Sequence, residues 1–231
     1  MQVIDLIKEE ERSLSLDAVY LSAENRSALE GFLKEYRFKD KLEAYGLGVN
    51  TKVLLSGSSG CGKTMTASAI ASSLGKKLYL LDLSNLVSAR IGETALHIKQ
   101  VFEKAGRDKA VLFLDEFDHV GKARGGDEKD VGEMRRLVNS LIQLIDHHKG
   151  ILIAATNHLE ALDGALVRRF QLRLNYTLPD PEVLDHFYDQ LTARFPEEVR
   201  GIERRYGLSY AEAQDLALTQ VKALLIAQWE K

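Results

Sequence analysis

The sequence is short of the residues that cross-link or punctuate a chain. Among 231 residues there is one cysteine, Cys61, and there are three prolines, all between Pro179 and Pro196. A single cysteine excludes an internal disulfide, so packing alone must hold the fold, and a reducing cytoplasm is the expected compartment. Before Pro179 nothing interrupts a helix or central strand by lacking an N–H. No run approaches the ~20 apolar residues that a membrane-spanning helix needs. Met1–Glu10 is acidic and amphipathic rather than basic and then apolar, which argues against a secretory leader. An excess of one charge is missing too. Lys plus Arg number 31 against 34 for Asp plus Glu, a formal net charge of -3. That balance gives no bulk attraction for nucleic acid or an anionic membrane and leaves only local basic patches open.

Apolar runs are present, and they alternate with helical patterns. Lys52–Ser56, Leu78–Leu83, Ala110–Leu114 and Ile151–Ala155 read as strands apolar on both faces, the mark of a parallel sheet. Helical periodicity covers Glu24–Tyr45, Lys63–Gly75, Thr94–Ala105 and Val131–His147, and after Pro181 only helices follow, Glu182–Phe195 and Ser209–Trp229. The expected architecture is an α/β chain with a domain boundary at Leu178-Pro179: residues 1–178 form an α/β domain, residues 179–231 a small helical one.

Two motifs carry chemistry. Gly57-Ser58-Ser59-Gly60-Cys61-Gly62-Lys63-Thr64 fits G-x-x-x-x-G-K-[ST] between a predicted strand and a predicted helix that continues through Met65. Glycines let such a loop curl around phosphate oxygens, Lys63 supplies counter-charge and the Thr64 hydroxyl can take a position on Mg²⁺. The plain alternative is a Gly/Ser turn. Val111-Leu112-Phe113-Leu114 then delivers Asp115 and Glu116 at a strand end, Asp115 for Mg²⁺ and Glu116 for the attacking water, unless both acids merely cap the next helix. Asp118 and His119 read as local structure, and Cys61 as a small loop filler.

These motifs, followed by Ala154-Ala155-Thr156-Asn157 and Leu162-Asp163-Gly164-Ala165-Leu166-Val167-Arg168-Arg169-Phe170, resemble the classical AAA clade of AAA+ ATPases, specifically its small stand-alone bacterial members. The resemblance covers nearly the whole chain. It implies a three-layer P-loop NTPase domain with a small helical lid, ATP and Mg²⁺ as cofactors, and ATP hydrolysis. It implies that Asn157 helps position the attacking water and that Arg169, with Arg168 beside it, reaches the ATP site of a neighbouring copy in a homo-oligomer, usually a hexamer; otherwise the two are surface arginines. Where the family often has another Arg after the Phe, this chain has Leu172, with Arg173 one place on. Leu16–Tyr20 resembles the family's adenine-packing segment and points to Ala18 and Val19. Gly207–Glu212 resembles the start of a lid helix.

Many members of the family grip a polypeptide with an aromatic, aliphatic and glycine loop. The matching place is Arg90-Ile91-Gly92-Glu93, with Arg where the aromatic would stand, and a second candidate is Ala123–Asp130. Either loop could equally serve ring contacts or solvent alone. The expected function is an oligomeric ATPase that remodels or unfolds a protein partner. The alternative is a nucleotide-gated regulator that activates or recruits an effector such as a protease. A DNA-acting role is disfavoured by the composition and by the absence of a recognisable DNA-binding appendage. No adaptor domain is recognisable before Val53, so substrate choice is expected to reside in a separate partner.

Overall fold

The computed structural model describes residues 6–10, 13–84, 91–120 and 128–230. In chain order these form β1 (Lys8–Glu10), α1 (Ala23–Arg37), α2 (Lys39–Ala44), β2 (Lys52–Gly57), α3 (Lys63–Ser73), β3 (Leu78–Asp82), α4 (Ile91–Arg107), β4 (Val111–Asp115), α5 (Glu128–His147), β5 (Leu152–Thr156), α6 (Gly164–Val167), β6 (Leu172–Tyr176), α7 (Pro181–Thr192) and α8 (Tyr210–Trp229). Contacts group the chain into two units, one of residues 1–57 and 63–175, the other of residues 58–62 and 176–231.

In the first unit the strands lie in the order β1-β3-β4-β5-β2-β6. β3 runs parallel to β4, β4 to β5 and β5 to β2, as the apolar runs imply. Side chains alternate along each strand, and both resulting faces are enclosed. Leu54, Tyr79, Leu81, Leu112, Leu114, Leu152 and Ala154 form one core with Ile98, Val101 and Phe102 of α4 and Leu137, Leu141 and Ile145 of α5. Their neighbours Val53, Leu55, Val111, Phe113, Ile153 and Ala155 are equally buried. α3 can be enclosed on nearly every side because Thr66, Ala67, Ser68, Ala69, Ile70 and Ala71 are mostly small, and it contacts β3, β4 and β5. The expected α/β P-loop fold is therefore the observed one.

The structure differs from the sequence reading in several places, and β6 is a strand that reading did not include. The strand β1 is only three residues, Lys-Glu-Glu, antiparallel to β3, too short and charged for a hydrophobic pattern to show. The single helix expected over Glu24–Tyr45 breaks at Phe38, which leaves the helical region at φ -97, ψ 14. The second piece then stops in a Schellman turn: Gly46 takes φ 75 while Leu47 N–H donates to Leu42 O and Gly46 N–H to Glu43 O. Helix α4 begins at Ile91, not Thr94, so Ile91, Gly92 and Glu93 of the first candidate pore loop are helical. Arg90 lies outside the described residues, as do residues 123–127 of the second candidate, whose Glu128, Lys129 and Asp130 open α5.

The C-terminus of α5 is tied down by a strand. The Lys52 ammonium, on a residue only 6% exposed, donates to His148 O at 2.6 Å, Gly150 O at 3.3 Å and Thr51 Oγ1 at 2.8 Å. Burial lowers its pKa to about 8, opposed by Asp146. The His148 ring stands edge-on to Phe102 at 5.4 Å and lies so close to Gly150 that a Cβ there would sit 2.7 Å from Nε2, so any side chain at that position would have to displace the ring.

In the second unit Leu184, Tyr188, Ala213 and Ala217 form a small core between α7 and α8. α8 starts with a full capping box: Ser209 Oγ accepts from Glu212 N–H, and the Glu212 carboxylate accepts from Ser209 N–H. Among the described residues no helix is long and apolar enough to cross a membrane.

Burial, then Lys52, lower the His148 pKa to about 4 from 6.5, against a hydrogen bond with the Ile151 backbone. Below about 6.5 the unfolded chain takes up a proton that the folded chain refuses until about pH 4, so His148 makes stability fall as the pH drops through that window. The loss should be on the order of 2 kcal/mol after allowance for partial solvent screening. His148→Phe, which keeps a ring on Phe102, should flatten this part of the stability profile in urea titrations between pH 7 and 4.

Candidate functional site

Three parallel strands end side by side, and each delivers a functional group at its C-terminal end, the edge where ligands bind in open α/β sheets. β2 runs into Gly57 and then the phosphate-type loop, β4 into Asp115 and Glu116, and β5 into Thr156 and Asn157. The Lys63 ammonium, on a residue 8% exposed, donates to Gly57 O at 2.7 Å and to Asn157 Oδ1 at 2.8 Å. Asn157 Nδ2 faces Glu116 Oε1 at 3.5 Å. Lysine, amide and carboxylate therefore form one linked row across β2, β5 and β4.

The loop achieves its curl through glycine. Gly57, Gly60 and Gly62 have φ values of 126, 72 and 98, a region that side chains rarely enter. Ser58 and Ser59 are exposed, whereas Cys61 is buried with its thiol 3.7 Å from Ser59 O. Residues 58–62 group with the second unit, in which Gly60 O accepts from Ala211 N–H at 3.2 Å. A Cβ on Gly60 would meet Ser209 Oγ at 2.6 Å, so glycine is required there twice over. Thr64 is half-buried at the start of α3, and Met65 is 45% exposed.

The acids differ in setting. Burial, above all, raises the Asp115 carboxyl above the ordinary carboxylate range; Glu116 and Asp82 add to this, while a hydrogen bond from Glu116 N–H and the Lys63 charge oppose it. The Asp115 carboxylate and the Thr64 hydroxyl are hard oxygen donors, the kind that suits Mg²⁺ better than a softer metal. Glu116 has φ 52, one of two non-glycine residues described in the left-handed region. Holding it there costs about 1 kcal/mol, a strain typical of functional positions. Glu116, Asp118 and His119 bring ligand atoms within 4.8 Å of one another. However, the fully buried Asp118 is engaged elsewhere, accepting from Thr156 Oγ1 at 3.0 Å.

The two arginines have different surroundings. Arg169 spans the end of α5: its Nε and Nη2 pair with the two Asp146 carboxylate oxygens at 3.2 and 3.3 Å, and its Nη1 donates to Ala165 O. Arg168 is exposed, and its Nε donates to Gly164 O at 3.1 Å. Both line a polar cleft of about 420 Å³ with Lys52, Asp146 and His148. Among the described residues neither is hydrogen-bonded to Lys63, Glu116 or Asn157. Arg173 donates to Phe170 O. Ala18 and Val19 close a short 3-10 segment that packs on α3; Val19 is buried, its carbonyl accepting from Arg26, and no described hydrogen bond joins either to the Lys63 row. Sequence reasoning did not single out Asp146, Thr156 or the engagement of Asp118, each defined by contacts distant along the chain. The only sequence trace is that Asp118 follows Glu116 by two places.

Comparisons with known proteins agree with this geometry. The model of the family described as "ATPase family associated with various cellular activities (AAA)" matches residues 53–178. Across 227 residues the chain is 37% identical to an "Uncharacterized AAA family ATPase y4kL" of Sinorhizobium fredii (strain NBRC 101917 / NGR234), covering 96% of this chain and 68% of that one. It is 38% identical over 170 residues to "ATP-dependent zinc metalloprotease FtsH 1" of Alkaliphilus metalliredigens, covering 68% of this chain but only 28% of that protein. Among solved structures the FIGL-1 AAA domain superposes with a TM-score of 0.74 at 24% identity over 94% of this chain and 76% of that one, a likeness of fold. Sheet order, loop and family match converge: the chain belongs to the AAA family and is an ATPase.

Proposed function

We propose that this ATPase works as a homo-oligomer, a hexameric ring in the cytoplasm, and couples hydrolysis to remodelling or unfolding of a protein partner. The observation that carries the nucleotide half of this reading is the hydrogen-bonded row Lys63–Asn157–Glu116 at the strand ends. Gly57–Thr64 and Met65 wrap the phosphates of ATP, with backbone N–H groups and the start of α3 facing the anion. Thr64 and Asp115 hold Mg²⁺, which with bound ATP supplies charge neutralisation at the transferring phosphoryl group. Glu116 accepts a proton from the attacking water while Asn157 orients it. Lys63, which bonds Asn157 in the structure, is the counter-charge that turns to the phosphates. Ala18 and Val19 pack on adenine, and residues 179–231 act as the lid.

Arg168 and Arg169 complete a neighbour's site. Of the pair, Arg168 is the freer, and Arg169 must exchange Asp146 for phosphate or hold the segment in place for Arg168. Coupling to a protein partner is supported by the relative whose name joins ATP dependence to a metalloprotease. Arg90, standing where the gripping aromatic would be, favours a second reading: the ATP-bound ring docks an effector and hydrolysis resets it. Glu116→Gln separates the two in a pull-down with ATP followed by an activity assay of the captured partner. A trapped ring that fully activates its partner supports the regulator, and one that only retains it supports the remodeller.

Lys63→Ala should abolish nucleotide binding in a fluorescent-nucleotide titration. Arg168→Ala and Arg169→Ala should keep binding, and at least one should lose turnover by about 10³-fold, the usual weight of an arginine supplied in trans. Mixing Lys63→Ala with the inactive arginine variant should restore part of the turnover, because each contributes the half that the other lacks. Normal turnover by both arginine variants overturns the shared site.

A further inference from the structure

We propose that Asp118 is a positioning residue for ATP turnover, its buried carboxylate fastening the segment that carries Glu116 to the strand end that carries Asn157. The proposal rests on the reading of Glu116 and Asn157 given above. Asp118 lies in the short 3-10 segment Phe117–Val120 directly after Glu116, and both Phe117 and Asp118 are 0% exposed. A carboxylate in such a place is costly unless donors compensate it. The donors come from across the sheet end: Thr156 Oγ1 donates to Asp118 Oδ1 at 3.0 Å, and Asn157 N–H approaches the same oxygen at 3.4 Å. Thr156 Oγ1 in turn accepts from His158 N–H at 3.0 Å.

The Asn157 backbone is thus held through its own N–H and through the residues on either side of it. With the backbone held, its amide has one useful orientation, Oδ1 on Lys63 and Nδ2 towards Glu116. Phe117, next to Asp118, is locked edge-on to Phe170 at 5.7 Å, so the segment cannot follow if the Asp118 contact loosens. Removing the carboxylate leaves the Thr156 hydroxyl and the Asn157 N–H without their acceptor and frees the amide to turn. A displacement of about 1 Å at a group that orients a water is enough to cost on the order of 10²-fold in rate.

The test is a double-mutant cycle on the full chain with Mg²⁺ and ATP, reading kcat and nucleotide affinity separately. Asp118→Ala should lower kcat about 10- to 100-fold while the nucleotide Kd stays within about threefold. Asp118→Asn, which keeps the accepting Oδ1, should recover most of the rate. In an Asn157→Ala background, Asp118→Ala should change kcat by less than about threefold, because the residue it positions is gone. Thr156→Val, which removes one donor at constant shape, should give a smaller loss that also vanishes in that background, and it decides the matter if Asp118→Ala does not fold. Losses that multiply independently, or an Asp118→Ala protein with normal kcat, overturn the proposal. If Asn157→Ala itself turns over normally, the reading of Asn157 fails and this proposal fails with it; if Asn157→Ala is slow and Asp118→Ala is not, only this proposal fails.

Discussion

The side-by-side parallel pairing of β2, β5 and β4 is the constraint on which the rest depends. A lysine from the loop after one strand, an amide at the end of the second and a carboxylate after the third meet only because Leu54 pairs with Ala154 and Ala154 with Leu114 in fixed register. A slip of one residue would turn the buried sets to the wrong faces and move Asn157 off its partners. The apolar cores on both faces therefore do more than stabilise the sheet. They hold its polar end in alignment.

That end combines groups whose environments diverge. Burial, above all, raises the pKa of the Asp115 carboxyl. Lys63 is satisfied by a backbone carbonyl and the Asn157 amide. The arginine segment follows a different logic, one guanidinium engaged by Asp146 and its neighbour facing solvent. Lys52 supports that arrangement from beneath by tying down the end of the helix that bears Asp146.

The central strands were legible from sequence to within a residue because enclosed parallel strands leave unbroken apolar runs. Gly57–Thr64 and Asp115-Glu116 were legible because their chemistry demands particular residues at fixed spacing. The chain break at Phe38 carried no glycine or proline to announce it. β1 was invisible because its three charged residues carry no apolar pattern, although they pair in register with β3. β6 did carry alternation in Leu172, Leu174 and Tyr176, but over too few residues to stand out. In the sequence Asp118 reads as local structure and Asp146 carries no signal for another reason: their meaning lies in contacts with Thr156, 38 residues away, and Arg169, 23 residues away, and no local pattern encodes such distances.

The backbone of Glu116 shows how stability and activity can be set against each other at one position. A left-handed conformation suits glycine or asparagine better than glutamate. Folding alone gives no reason to place an acid in so unfavourable a geometry, and such local conflicts are expected where a site's chemistry overrides stability. Stabilisation of a weakened chain is therefore better sought in the cores and helix caps than at this bend, where the gain would come from the residue that also stands at the strand ends beside Asn157.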